Sequence, residues 1–156
     1  MNIKHIWTVL CRESVINSDD NNISLNAIFE ELTVFIDSKN NDQLTKTKLI
    51  KVPNINYEIV SLWYKTEEKK DVNIEIEVTV VNPDGKEINK FVNKFNIKPE
   101  HKRFRSRLKI NGITVQGNGD YWFIVKVREN DNEPFKKVAE VPLQVKNYIK
   151  NPQSKN

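Results

Sequence analysis

Four cations recur at every second position, in Arg103, Arg105, Arg107 and Lys109, with Lys98 and Lys102 just upstream. On an extended chain that period places all four on one side, about 7 Å apart. The spacing approaches the phosphate repeat of an extended single strand, and arginine binds phosphate through two parallel hydrogen bonds. A single-stranded nucleic acid or another phosphate-bearing ligand is therefore one expected partner. The competing expectation is structural. If this strand neighbours one carrying Glu75 and Glu77, the row becomes a cross-strand ladder of ion pairs, worth about 0–1 kcal/mol each. No exposed aromatic interleaves the cations, although stacking platforms usually accompany single-strand binding.

Other reactive residue types are sparse. His5 and His101 are the only histidines, too few for a histidine-rich metal site. No H-E-x-x-H, G-x-S-x-G, phosphate-loop or spaced cysteine pattern is present. The adjacent pairs Glu30-Glu31 and Glu67-Glu68 point to opposite faces of a strand and cannot act as dyads. Glu75 and Glu77 share a face and read as a solvated row. Asp19–Asn22 and Asn130–Glu133 are rich in oxygen ligands but lack a calcium-loop spacing, so they read as turns. Cys11 is the only cysteine, which rules out an intrachain disulfide. It alternates with Val9 and reads as a small buried hydrophobe. No catalytic residue, metal ligand or cofactor is expected, and the chain reads as non-enzymatic.

The elements that would position these side chains are strands. The 156 residues include 17 Ile and 16 Val but only 2 Ala and 4 Gly. β-Branched residues favour strands, and alanine is the best helix former. So little glycine also argues against phosphate-cradling loops. Period-two rows run through Ile3–Cys11, Ile23–Phe29, Leu32–Ile36, Tyr57–Trp63, Val72–Val80, Phe91–Ile97, Phe104–Ile110, Tyr121–Val127 and Val141–Val145. Leu25, Phe29 and Leu32 also fit a helical repeat, but the β-branched and aromatic content favours strand. The phase change at Glu30-Glu31 marks a bend or bulge. Asn82–Lys86 and Asn130–Pro134 carry turn chemistry. The expected fold is all-β: an immunoglobulin-like or C2-like β-sandwich of about eight mostly antiparallel strands. One domain spans 1–148, residues 38–54 form a long loop, and 149–156 form a flexible tail.

Two resemblances add to this reading. Arg12 through Asp20, followed by Ile23-Ser24-Leu25-Asn26-Ala27-Ile28-Phe29-Glu30-Glu31, resembles the opening hairpin of an uncharacterised family of small bacterial β-sandwich proteins. The Pro83–Gly85 turn and the Gly119-Asp120-Tyr121 strand entry follow in that family's order. The resemblance implies the sandwich and brings no catalytic residue. Separately, Gly119-x-Tyr121 resembles the tyrosine corner of immunoglobulin-like domains, with Phe123 where their strand cysteine stands.

The +4 net charge is unevenly spread. Residues 1–85 hold 9 Lys/Arg and 14 Asp/Glu, a net of −5, whereas 86–156 hold 16 and 7, a net of +9. No window approaches the ~18 apolar residues of a membrane span, and Ile6–Leu10 is too short for a signal-peptide core. The expectation is a cytoplasmic protein without a membrane partner. Some strands are apolar on both faces: Trp122 and Ile124 oppose Tyr121 and Phe123, and Leu62 and Tyr64 oppose Ile59 and Trp63. A sheet packed on one side leaves such residues uncovered, which makes these four candidates for a protein interface or homo-oligomer contact.

Overall fold

Alternating β-branched residues set the pleat, and in the computed structural model nearly every row forms a strand. The structure describes residues 1–37, 49–67 and 69–150. Among them lie β1 (Ile3–Ile16), β2 (Ile23–Ile28), β3 (Glu31–Asp37), β4 (Ile50–Lys65), β5 (Val72–Val81), β6 (Glu87–Ile97), β7 (Arg103–Val115), β8 (Gly119–Arg128) and β9 (Lys136–Lys150). They build a four-stranded sheet in the order β2-β1-β4-β7 and a five-stranded sheet in the order β3-β9-β8-β5-β6. Every pairing is antiparallel except β3 with β9.

The two sheets face each other across one apolar layer. The five-stranded sheet contributes Val72, Ile74, Ile76, Val78 and Val80 from β5 and Tyr121, Phe123, Val125 and Val127 from β8, all buried. The opposing sheet supplies Leu10, Tyr57, Ile59 and Trp63. Tyr57 meets Phe123 edge-on across the gap at 6.0 Å, and Phe95 meets Phe104 at 4.8 Å. Burial of these side chains is the main stabilising term, at about 1.5–3 kcal/mol each.

Several boundaries differ from the sequence expectation. The bend at Glu30-Glu31 is where the chain leaves one sheet for the other: β2 pairs with β1, while β3 pairs with β9. Ile50 to Asn54 belongs to β4 and not to a loop. Pro53 and Asn54 (φ 67°) fall where the β4–β7 register shifts between Val52 and Asn56. Pro53 cannot donate a ladder hydrogen bond, so the strand bulges there instead of ending. The rest of the expected 38–54 loop, apart from Leu49, lies outside the described residues. β9 runs to Lys150, past the expected boundary at 148, and residues 151–156 also lie outside them.

The Tyr121 hydroxyl accepts from the Gln116 backbone N–H and donates to the Gly117 carbonyl at 3.0 Å. It thereby fixes the connection through which β7 passes from one sheet to β8 in the other.

Candidate functional site

The two carboxylates and the four-cation row lie on different sheets. β7 pairs with β4, and β5 pairs with β6 and β8, so Arg103–Lys109 never adjoins Glu75 and Glu77. Nor are Glu75 and Glu77 a solvated row. They are 7% and 6% exposed, on the outer face of the five-stranded sheet. Glu75 is bound by Arg128 from β8 and by Lys94 from β6, the latter at 3.4 Å. Glu77 takes Lys126 at 2.8 Å and Lys90 at 3.4 Å. Burial pushes the Glu77 carboxyl up, but Lys126 and Lys90 outweigh it and hold it below the ordinary glutamate range. An ion-pair ladder therefore exists, built from cations outside the expected row.

The row itself lies on the outer face of the four-stranded sheet and is unequally committed. Glu58 of β4, 5% exposed, takes Arg107 at 3.4 Å, Lys109 at 3.6 Å and the Ser14 hydroxyl. Arg107 also donates to the Ser14 carbonyl at 2.7 Å. Burial raises the Glu58 carboxyl, whereas Ser14, Arg107 and Lys109 together bring it below its usual range. Arg105 holds the β1–β2 turn through the Asn21 carbonyl and, at 3.2 Å, its side-chain oxygen. Arg103 is exposed at the start of the strand.

The four apolar candidates divide between the outer faces. Leu62 and Tyr64, both half-buried, pair across the ladder with Arg105 and Arg103 on the four-stranded sheet. Lys102 stands 5.7 Å above the Tyr64 ring. Trp122, 39% exposed, and half-buried Ile124 lie on the five-stranded sheet. Trp122 is flanked by Val81 and Pro142, and Ile124 by Thr79 and Glu140. The four do not make one surface.

The remaining reactive groups take local roles. His5 packs edge-on to Trp63 at 5.1 Å and meets the Thr8 hydroxyl at 2.7 Å, and burial lowers its imidazole. Cys11 is fully buried, and burial followed by the nearby Glu58 charge raises its thiol. Asp20 accepts from the Asn22 backbone and side-chain amides, and Asn17 from Asp19, so this oxygen-rich turn satisfies itself. His101 lines a groove with Arg103, Arg105, Phe104 and the Asn21-Asn22 turn. Sequence reasoning missed this grouping. The turn and β7 are 84 positions apart, and no local pattern links them.

No family model matches the chain, and no curated protein matches it.

Proposed function

We propose that this chain is a non-enzymatic binding module that self-associates through the outer face of its five-stranded sheet. The observation that carries this reading is Trp122, 39% exposed on a strand that is paired on both sides. Val81, Pro142 and Ile124 extend its apolar surface. Tryptophan in such a position is a frequent anchor of protein interfaces. Two ion pairs border it within the chain, Lys126 with Glu77 and Lys137 with Glu140, and exposed Asp120 lies two positions before it on the same face. The patch thus offers apolar area beside a largely neutralised rim. The same patch on a second copy can cover that apolar area across a two-fold axis.

Sedimentation velocity at several concentrations tests this. The protein is expected to shift from monomer to dimer as concentration rises, and Trp122→Glu is expected to remain monomeric. Wild-type protein that stays monomeric throughout overturns the reading.

The sandwich itself reads as immunoglobulin-like in preference to C2-like. Support comes from strand order: β5, β8 and β9 follow strands C, F and G, with β6 beside β5 as C′, while β1, β4 and β7 follow A, B and E. The Tyr121 bonds to Gln116 and Gly117 sit where a tyrosine corner belongs.

A further inference from the structure

The β1–β2 turn and the start of β7 close a groove of about 550 Å³. That lies within the ~300–1,000 Å³ of small-ligand sites. Its charge balance sets it apart. Arg103, Arg105 and His101 line it, and the carboxylate among the lining residues, Asp20, accepts from Asn22. A second groove, of about 610 Å³, is lined by Glu75, Lys94, Arg128, Glu129 and Asp131. There carboxylates outnumber cations, and Glu75, Lys94, Arg128 and Asp131 are tied together. Glu129 accepts from the Asn2 and Ile3 amides. That second groove keeps an excess of carboxylate, and the first retains positive charge.

We propose that the groove between the β1–β2 turn and β7 binds the phosphate group of an organic ligand of nucleotide size, clamped by Arg103 and Arg105. A guanidinium carries five N–H donors, and Arg105 commits its two terminal nitrogens to Asn21, while Arg103 stands exposed at the rim. Phe104 and Ile16 supply apolar wall for the organic portion, and Asn22 and Asn96 supply polar edges. This narrows the phosphate-binding surface to the first half of the cationic row, because Glu58 holds Arg107 and Lys109. It is independent of the Trp122 surface, so either can fail alone.

The test is calorimetric titration of the full chain at low salt. The probes are inorganic phosphate, adenosine monophosphate, and an oligothymidylate with and without a 5′-phosphate. Adenosine monophosphate is expected to bind, with Arg103→Glu weakening it roughly tenfold or more. Lys109→Glu is expected to leave it within about twofold, because Lys109 does not line the groove. A melting curve confirms that each variant is folded, and Arg103→Ser repeats the loss without reversing charge. Binding of adenosine monophosphate alone assigns a free nucleotide. Binding of the 5′-phosphorylated strand as well assigns any terminal phosphate. No heat with adenosine monophosphate overturns the proposal, and so does phosphate binding as tightly as the nucleotide. Equal losses in Arg103→Glu and Lys109→Glu, or equal binding of the unphosphorylated strand, also overturn it in favour of the whole cationic row.

Discussion

Three buried carboxylates, Glu58, Glu75 and Glu77, show how far residue type alone can mislead. Each sits on an outer sheet face, where a glutamate is ordinarily solvated, yet each is buried and ion-paired to cations. Leaving one of those charges without its partner, or its partners without the charge, destabilises more than the pair stabilises. Glu77→Gln is accordingly expected to lower stability by about 1–3 kcal/mol in denaturant unfolding at neutral pH. The pH dependence has a fixed sign. Glu58 and Glu77 both titrate below their ordinary value of 4.5 in the folded chain. Their stabilisation is therefore complete above that value and is lost as pH falls through the lower folded values. Melting temperature should fall on acidification below about pH 4.5, with a shallower fall in Glu77→Gln. A melting temperature flat through that window would show that the pairs carry no such stabilisation.

At the scale of elements, the strands were legible because their period is local. β5 and β8 each alternate apolar residues inward, as their sequences require. What lies on the other side of each strand was not legible. The outer face of β5 reads as exposed acid until β6 and β8 bring four cations to it. Turns and bulges also depend on neighbours. Gly85 (φ 78°) and Gly112 (φ 79°) share a backbone conformation that side chains disfavour. A Cβ on Gly85 would meet open space, whereas one on Gly112 would lie 3.0 Å from the Val52 carbonyl oxygen in the facing strand. Gly85→Ala is expected to destabilise by about 1 kcal/mol from backbone strain alone. Gly112→Ala should cost more, since β4 must shift to admit the methyl. Equal unfolding free energies for the two variants would contradict this.

For the whole molecule, the decisive contacts fasten one sheet to the other. Lys65 is the clearest example. It is 1% exposed, at the end of β4, and its ammonium donates to the Lys70 carbonyl at 2.9 Å and the Lys98 carbonyl at 2.8 Å. Those carbonyls flank the start of β5 and the end of β6, so one side chain of the four-stranded sheet fastens an end of the other. Lys65→Met keeps the stem volume but leaves both carbonyls without that donor. It should cost about 2–3 kcal/mol, read as a lower denaturant midpoint at unchanged slope. An unchanged midpoint would show that the fastening contributes nothing.

By itself the amino-acid sequence determined that this chain is all-β, where most strands lie, which side of each seeks the core, and that its charge divides into a −5 and a +9 portion. These follow from side-chain type and a two-residue period, both local. Only the tertiary structure decided what the charge means. Some strand neighbours are consecutive, as β5 with β6, but others are distant, as β5 with β8 and β4 with β7, and burial between the sheets selects those. That pairing gave Glu75 and Glu77 the cations of β6 and β8, and gave Arg107 and Lys109 to Glu58. It left Arg103 and Arg105 at a groove formed with a turn 84 positions away.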